Sequence, residues 1–379
     1  MRIGFVANRG FALWSSRRRL MARLRAAGHE VFCYSVDDGY RTPLEEVGAV
    51  WREVPLQRGG PDPRTDPALL FALRRAYAAD RLDLVQHYHA KPMVFGSLAA
   101  RWAGVPRVVN TVTGLGESLP AGGLGRTVSV AAYRVAGDLS DRTVFQNSDD
   151  LALFQREGLV APGAARLIVS SGVDVDRFRP PAEEAGPEAP RRVLFMSRLL
   201  HAKGVAEFIE AARMVRREMG PDVVFELAGE WDPDHGDAVT EAEMAAMNAD
   251  GAVRFVGYCS DPDSWLPGAV AFVCPSYYRE GVPRTILEAN ACGVPVIGAD
   301  SAGIRDAVRD GVTGFLVPPM QADAIADRLL RLLGDPELAR GMGQAARREA
   351  EQRFDLDVIT RAYLSLYEGL GVPLTTEVV

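Results

Sequence analysis

The sequence of 379 residues lacks the features that mark membrane-spanning and secreted proteins. It has no apolar run of 18 or more residues, so it predicts no membrane-spanning helix. The apolar stretch at residues 3–7 is too short for a signal peptide and is followed by arginines rather than a cleavage site. We therefore expect a cytoplasmic protein.

Cysteine is scarce, and the common nucleotide-binding loops are absent. The four cysteines lie far apart, match no zinc pattern and are interpreted as reduced core residues. There is no G-x-x-x-x-G-K-[ST] loop for a nucleoside triphosphate. The first strand is not followed by G-x-G-x-x-G, since residues 8–12 read Asn-Arg-Gly-Phe-Ala. This argues against a dinucleotide-binding dehydrogenase.

What the sequence does contain is an alternation of short apolar strands and helices, which occurs twice. In the first half, strands at residues 84–88 and 107–112 flank a helix at residues 92–102. A Pro-rich acidic linker at residues 180–190 follows, and the pattern resumes with a strand at residues 192–196 and a helix at residues 205–217. The length also suits two domains. Such alternation predicts two doubly wound parallel α/β sheets, in which ligands bind at the carboxyl ends of the strands.

The predicted domains differ in charge. Residues 1–179 contain 24 Lys and Arg against 18 Asp and Glu, whereas residues 180–379 contain 19 against 32. A basic first half suits an anionic partner, such as a phosphorylated lipid at a membrane surface. Chance variation of surface residues in an arginine-rich sequence explains the difference in charge between the two halves equally well. Arg17, Arg18 and Arg19, with Arg23 and Arg25, either meet phosphate or lipid headgroups or form a solvated helix face.

The second half contains a loop and helix that suit a phosphorylated ligand. A strand ends near Pro275, and a loop with Gly281 leads into a helix whose first turn accommodates Pro283. The free amides and the dipole of a helix start bind phosphate. Glu280 and Glu288 lie on either side of that start, and a carboxylate accepts two hydrogen bonds from a ribose diol. On spacing alone, two unrelated surface glutamates are the commoner explanation.

A second segment, residues 197–204, follows the first strand of the second domain. Arg198 and Lys203 would stand at the carboxyl edge of the sheet and could neutralise a departing diphosphate without a metal ion. The alternative is a solvated loop, which often carries Lys and Arg.

Two segments of the first half also end strands. Strand alternation predicts His87 and His89 on one side of their strand. The alternative is one core histidine and one surface histidine; a metal pair would lack a third ligand. Thr113 and Gly114 begin a glycine-containing loop that would permit close approach of a ligand, or that forms an ordinary turn.

Together these segments resemble glycosyltransferase family 4, whose retaining enzymes have the GT-B fold of two Rossmann-like domains facing a cleft. The resemblance covers nearly the whole chain. Glu280 and Glu288 match the E-x7-E signature, and Arg198 and Lys203 match R-L-x-x-x-K-G. The runs at residues 291–297 and 311–317 are typical of the family in order and spacing. The resemblance implies an acceptor-side domain at residues 1–179, a donor-binding domain at residues 191–356, and a C-terminal helix at residues 357–379 that packs back on the first domain.

The resemblance also implies roles for individual residues. Glu280 and His89 would contact the donor sugar as catalytic residues, and Glu288 would hold the donor ribose. The remaining candidates divide into a donor-binding and an acceptor-side group. The donor-binding group is Gly10, Arg198, Lys203, Gly281, Val282 and Thr285 near the phosphates, with Tyr258 beside the nucleobase. The acceptor-side group is Thr113 and Gly114.

Residues 276–281 and 113–116 are most similar to bacterial members that extend polyprenyl-diphosphate-linked sugars. The implied reaction is retaining transfer of a hexosyl or N-acetylhexosaminyl group from a nucleotide sugar, with a UDP-sugar as the expected donor. The acceptor would be a glycan or a polyprenyl-diphosphate-linked sugar in cell-surface polysaccharide synthesis. No metal and no nucleic acid are expected, and the basic first domain could contact a membrane peripherally. The alternatives are a small-molecule acceptor, a nucleotide-sugar epimerase, or a non-catalytic donor-binding subunit.

Overall fold

The computed structural model describes residues 1–56, 65–116, 119, 122–182, 186 and 190–374. The chain forms two compact units, one comprising Met1–Ser171 with Leu356–Val379 and the other Gly172–Asp355. Each unit contains one sheet in which all paired strands are parallel. The predicted α/β fold with two parallel sheets is confirmed.

The first unit contains a seven-stranded sheet in the order β3-β2-β1-β4-β5-β6-β7. Its strands are β1 (Arg2–Val6), β2 (Glu30–Ser35), β3 (Val50–Glu53), β4 (Leu84–Tyr88), β5 (Arg107–Val112), β6 (Arg142–Phe145) and β7 (Ala165–Leu167). The helices between them are α1 (Gly10–Ala26), α2 (Arg41–Glu46), α3 (Asp66–Asp80), α4 (Ala90–Trp102), α5 (Gly123–Asp138) and α6 (Ser148–Arg156).

The second unit contains a six-stranded sheet in the order β10-β9-β8-β11-β12-β13. Its strands are β8 (Arg191–Met196), β9 (Val223–Ala228), β10 (Arg254–Gly257), β11 (Ala271–Cys274), β12 (Val296–Ala299) and β13 (Gly314–Val317). The helices are α7 (Val205–Met219), α8 (Glu241–Met247), α9 (Pro262–Trp265), α10 (Arg284–Ala291), α11 (Ile304–Ala307), α12 (Ala322–Gly334) and α13 (Pro336–Glu349). A 3-10 turn spans His201–Lys203, and a π-helical turn, Ala350–Phe354, follows α13.

The first sheet buries both of its faces, because successive side chains of a strand point to opposite sides. Ile3 and Phe5 of β1 pack in the core beneath α1 and α2, whereas Val6 packs on the opposite side with residues of α3 and α4. Helix α5 covers the same side as α4, over Val112 and Phe145. The unit therefore has α1 and α2 on one face and α3–α5 on the other.

The C-terminal helix α14 (Leu356–Glu368) completes the α1 side of the first unit. Tyr363 and Tyr367 are fully buried there, and the Tyr367 hydroxyl donates a hydrogen bond to Gln86. The guanidinium of Arg17 lies 4.9 Å from the ring centroid of Tyr88 and 4.6 Å from that of Tyr363. Of the residues 357–379 proposed to form this helix, 375–379 lie outside the described residues.

The division between the units falls earlier than the sequence analysis placed it, between Ser171 and Gly172 instead of after residue 179. The amide of Val173 donates to the Phe354 carbonyl at 2.8 Å. The Arg347 guanidinium donates to the carbonyls of Val175 and Phe178. These bonds tie the segment that precedes the predicted linker to the second unit. Residues 183–185 and 187–189 of that linker lie outside the described residues.

All four cysteines carry free thiols. Cys33, Cys274 and Cys292 are buried, as their apolar sequence surroundings predicted. Burial raises the pKa of Cys274 to about 12. Cys259 is only partly buried, so its interpretation as a core residue was wrong.

Candidate functional site

The second sheet reverses its strand order between β8 and β11, which are direct neighbours. The chain proceeds outward from β8 to β10 in one direction and from β11 to β13 in the other. In open parallel sheets, ligands bind at the carboxyl ends of the strands on either side of such a reversal. The loops after β8 and β11 carry Lys203 and Glu280, so the fold brings these two segments together.

Lys203 and Glu280 form an ion pair. The Lys203 side chain is only 8% exposed, and its ammonium lies 5.0 Å from the ring centroid of Tyr278. The Ser276 hydroxyl donates to Oε1 of Glu280 at 3.3 Å. The ammonium has three donors, so it can hold Glu280 and an anionic ligand at once.

Main-chain bonds join the two loops that carry this pair. The carbonyl of Ala202 accepts from the amides of Tyr277 and Tyr278 at 3.0 and 3.1 Å. Gly204 follows Lys203 with φ of +80°, and a Cβ there would lie 2.6 Å from the side chain of Pro275. Glycine at this position therefore allows the loop after β8 to approach the end of β11.

Two residues that the sequence analysis missed support the Glu280 loop from a third segment. Gly303 has φ of +79°, and a Cβ at this position would lie 1.5 Å from the carbonyl oxygen of Gly281. The Ser301 hydroxyl donates to the carbonyl of Ser276 at 2.9 Å. Both lie in the loop after β12, the strand beside β11. No local sequence signal marks them, because their partners are about twenty residues away.

Glu288 lies in α10, which begins after Pro283 at the N-cap. The residue is 7% exposed, and the Arg284 guanidinium lies 3.4 Å from its Oε1. Burial raises the pKa of Glu288, against the opposing charges of Arg284 and Arg177. A ligand hydroxyl pair that donated to this carboxylate would favour its ionised form.

The other proposed donor-binding residues of this unit lie along the same edge of the sheet. Val282 is buried, and Thr285 occupies the second position of α10. The Arg198 guanidinium pairs with Asp232 at 3.0 Å. Tyr258 follows β10, the strand at the sheet edge, and is 72% exposed. The structure thus joins Lys203 with Glu280 directly, whereas Tyr258 lies two strands from β8.

The first unit has the same kind of reversal, between β1 and β4. Gly10 follows β1 as the first residue of α1, and His89 follows β4 immediately. Thr113 and Gly114 follow β5, the neighbour of β4. All four proposed residues of this unit therefore lie at the carboxyl edge of its sheet.

His89 has φ of +73° and ψ of 164°, a backbone region that is adopted almost solely by glycine. The strand ends at Tyr88, so the alternation from which His87 and His89 were predicted to share one side does not extend to His89. His87 is fully buried between Asn110 Oδ1 at 2.9 Å and the Tyr77 hydroxyl at 3.2 Å. Burial lowers the pKa of His87 to about 4. His87 is thus the core histidine of the alternative interpretation.

The start of α1 is occupied by a carboxylate. Asp38 accepts from the Arg9 Nε at 3.1 Å and from the Phe11 amide at 3.2 Å. A Cβ at position 10 would lie 2.7 Å from Oδ1 of Asp38, so a larger residue there would require this carboxylate to shift. A phosphate could use this helix start only if Asp38 moved, because two anions would otherwise share one amide.

The arginines of α1 contact other side chains. Arg17 is buried, and the guanidinium of Arg18 lies 5.0 Å from the ring centroid of Trp14. Arg19 pairs with Asp357 at 3.1 Å. The idea that the run Arg17 to Arg19 meets lipid headgroups is therefore wrong for Arg17, which is enclosed by aromatic rings.

Within the described ranges, no three His, Cys, Asp or Glu side chains are grouped so that they could hold a metal ion. None of the described helices combines the length and apolarity needed to cross a membrane.

Comparison with known proteins gives matches over both units. The family model "Glycosyl transferases group 1" matches residues 176–349, and the model "Glycosyl transferase 4-like domain" matches residues 13–171. One relative is an N,N'-diacetylbacillosaminyl-diphospho-undecaprenol alpha-1,3-N-acetylgalactosaminyltransferase of Campylobacter jejuni, 28% identical over 97% of this chain and 98% of that protein. Another is a GDP-mannose-dependent alpha-(1-6)-phosphatidylinositol monomannoside mannosyltransferase of Mycolicibacterium smegmatis, 29% identical over 74% of this chain and 75% of that protein.

Solved structures with the same fold cover almost the full chain. Anabaena HepE in complex with UDP and glucose matches with a TM-score of 0.77 at 21% identity, over 97% of this chain and 100% of that one. Sucrose-phosphate synthase from Thermosynechococcus elongatus matches with a TM-score of 0.80 at 23% identity, over 98% and 99%. The GT-B fold, the two family models and the Campylobacter jejuni relative, which aligns along nearly the whole length, show that this chain belongs to the family 4 glycosyltransferases.

Proposed function

We propose that the protein transfers a hexosyl or N-acetylhexosaminyl group from a UDP-sugar to a glycan or a polyprenyl-diphosphate-linked sugar in cell-surface polysaccharide synthesis. The observation that carries the proposal is the Lys203–Glu280 pair at the strand-order reversal of the second sheet. The named activity of the Campylobacter jejuni relative on a diphospho-undecaprenol acceptor and the UDP complex of Anabaena HepE support the acceptor and donor classes.

The donor diphosphate would bind to Lys203, Arg198 and the start of α10, including the amides of Gly281 and Val282 and the hydroxyl of Thr285. These groups supply positive charge where the leaving nucleoside diphosphate gains negative charge, so we propose a reaction without a metal ion. Arg198 would have to exchange Asp232 for the phosphate, because its guanidinium pairs with that carboxylate.

The bond from the anomeric carbon to the phosphate oxygen would break, and its electron pair would leave with the diphosphate. The acceptor hydroxyl would form the new bond and release its proton to the departing phosphate. Glu280 would accept hydrogen bonds from the donor sugar, and Lys203 would hold Glu280 in position. Retention of configuration rests on the family resemblance.

Glu288 would accept hydrogen bonds from the ribose diol of the donor. The ionised carboxylate is disfavoured by burial, so two donated hydrogen bonds would stabilise it when the donor binds. The base would reach toward Tyr258. In the first unit, the resemblance assigns His89 to the donor sugar, Gly10 to the phosphates, and Thr113 and Gly114 to the acceptor. We further propose a cytoplasmic protein that contacts the membrane peripherally through its first unit.

The test is a transfer assay with purified protein, a panel of UDP- and GDP-sugars, and undecaprenyl-diphosphate carrying one N-acetylhexosamine. We expect a product one sugar larger by mass spectrometry, with the anomer assigned by NMR and the rate unchanged by EDTA. Lys203→Ala and Glu280→Gln should each lower the rate by roughly 10²–10³. The matched control is Glu210→Gln in α7, a half-exposed glutamate that pairs with Arg213.

Wild-type rates in both Lys203→Ala and Glu280→Gln would refute the site. An epimerised nucleotide sugar formed without any acceptor would instead identify an epimerase, and donor binding without turnover on any acceptor would identify a non-catalytic subunit.

A further inference from the structure

The layer formed by α3, α4 and α5 exposes large apolar side chains to solvent. Helix α5 carries Leu124, Val128 and Val135, which are 81%, 51% and 43% exposed. Their spacing of four and seven residues places them in one stripe along the helix. The core-facing side of α5 is formed by other residues, including Tyr133 and Ala136. The exposed stripe is therefore not needed to pack α5 against the first unit.

An aromatic and cationic cluster lies on the same layer. Phe71 of α3 and Trp102 of α4 are both more than half exposed, and their rings meet edge to face with centroids 5.5 Å apart. The guanidinium of Arg74 lies 4.4 Å from the Trp102 ring centroid. Arg75, next to it, is exposed as well. A tryptophan paired with arginine is typical of side chains at a membrane–water interface.

The charges that reach solvent on this layer are mostly positive. Helices α3–α5 contain three acidic residues, and two of them are buried in pairs. Asp66 pairs with Lys91, and Asp80 pairs with Arg52. Asp138, the last residue of α5, is the exposed acid. The exposed apolar side chains lie beside guanidinium groups, and two of the three carboxylates are buried in ion pairs. This combination complements the interface of an anionic bilayer, where negative headgroups meet apolar chains.

We propose that the outer side of α3–α5 docks on an anionic lipid bilayer, through Phe71, Arg74, Arg75, Trp102, Leu124, Val128 and Val135, here called the α3–α5 surface. This rests on the proposed function, because an acceptor on a lipid carrier brings the enzyme to a membrane. The α1 side of the sheet is a poorer candidate, since α14 covers it and Arg17 is enclosed there. A bilayer fits better than a protein partner because the surface has one charge sign and carries its apolar groups in a helical stripe.

The experiment measures binding of the full chain to vesicles by flotation. Vesicles of phosphatidylglycerol and phosphatidylethanolamine should bind the protein, and vesicles of phosphatidylcholine alone should bind it at least several-fold less. The triple variant Leu124→Gln, Val128→Gln, Val135→Gln should lower the partition coefficient roughly tenfold or more, because three side chains lose the transfer of apolar area out of water. Arg74→Gln with Arg75→Gln should weaken binding to anionic vesicles only and reduce its salt dependence.

The matched control is the double variant Leu167→Gln, Met320→Gln, which replaces exposed apolar side chains elsewhere on the chain. It should bind vesicles like the wild type. Thermal unfolding of every variant checks that the fold is intact, which is expected because the replaced side chains are exposed.

Absence of wild-type binding to anionic vesicles would overturn the proposal, as would equal binding by the triple variant. Self-association that the triple variant abolishes, without vesicle binding, would assign the surface to a second copy instead. UDP binding, measured by calorimetry without vesicles, separates the two proposals. UDP binding without vesicle binding would support the transferase function and refute the membrane-docking surface. Vesicle binding without UDP binding or transfer would support the membrane-docking surface and refute the transferase function.

Discussion

Two buried glutamates of the second unit should respond in opposite ways to the same substitution. Glu288 has its pKa raised by burial, against Arg284 and Arg177. Burial alone would also raise the pKa of Glu349, but hydrogen bonds from Arg353 and Arg309 outweigh it and lower that pKa. We therefore expect Glu288→Gln to stabilise the unit at neutral pH and Glu349→Gln to destabilise it.

The sign follows from proton linkage. A raised pKa means that the folded chain binds more protons than the unfolded chain. The contribution of Glu288 to the free energy of unfolding is therefore present below its unfolded pKa and lost as pH rises through its folded pKa. Glu349 has the opposite dependence: its contribution is present above its unfolded pKa and lost as pH falls through its lowered pKa. The Glu288→Gln difference from the wild type should therefore be largest near pH 7.5 and shrink toward pH 4.5, whereas the Glu349→Gln difference should persist at pH 5.0 and shrink only as pH falls below the ordinary glutamate pKa of 4.5.

The magnitudes decide the direction for Glu288. Each pH unit of pKa elevation costs about 1.4 kcal/mol when the group is ionised. The Arg284 pair that Glu288→Gln removes is an i,i+4 pair worth about 0.3–0.5 kcal/mol, and its effect is already contained in the raised pKa, so it does not reverse the sign. We expect net stabilisation at neutral pH, and each kcal/mol gained should raise Tm by about 2–4 °C for a unit of this size. Glu349→Gln should cost about 1 kcal/mol or more, because it breaks two charge-assisted hydrogen bonds with partly exposed arginines.

Thermal unfolding at pH 7.5 and 5.0, together with UDP calorimetry, checks both variants. Glu288→Gln should bind UDP roughly 10- to 100-fold more weakly, since it loses charge-assisted hydrogen bonds to ribose. Glu349→Gln should keep wild-type affinity. A lower Tm for Glu288→Gln at pH 7.5 would contradict the electrostatic argument, and unchanged UDP affinity would remove Glu288 from the donor site.

Three further substitutions test the loops around the two strand-order reversals. Gly303→Ala should lower Tm and abolish UDP binding, because its Cβ would strike a loop carbonyl; Gly311→Ala, also at positive φ but with open space around it, is the control and should keep UDP binding. His89→Gly should raise Tm by relieving backbone strain of about 1–3 kcal/mol while slowing transfer, and a lower Tm would show that the strain is compensated by side-chain contacts. Asp38→Asn should increase UDP affinity if a phosphate displaces this carboxylate from the start of α1, and calorimetry showing no increase would argue that the donor does not reach that helix.

Local patterns in the sequence were sufficient for the fold class and for the chemical types at the site. Fully apolar strands such as β11 must be covered on both faces, so their alternation with helices predicts parallel sheets. Helix α1 ends before Gly28, because glycine readily adopts the positive φ that follows a helix. The cations of residues 198–203 and the glutamates of residues 280–288 became candidates through the family resemblance, because spacing alone favoured unrelated surface charges.

The interpretation of the histidines shows where local patterns stop being informative. Strand periodicity applies only while the strand continues, and β4 ends at Tyr88. The positive φ of His89 and the burial of His87 between Asn110 and Tyr77 depend on neighbouring elements. The predicted boundary between the units was wrong for a similar reason, because Arg347 donates hydrogen bonds to carbonyls that lie far earlier in the chain.

The sequence by itself therefore determined two parallel α/β units and the residue types that suit a nucleotide-sugar donor. Only the tertiary structure decided that β8 lies beside β11, which pairs Lys203 with Glu280, and that Gly303 supports their loop. It also decided that Glu288 is buried, that Asp38 occupies the start of α1, and that the exposed apolar stripe belongs to α5. Strand order, burial and ion pairing are set by packing between segments distant in the chain, and such packing leaves no periodic trace in the segments themselves.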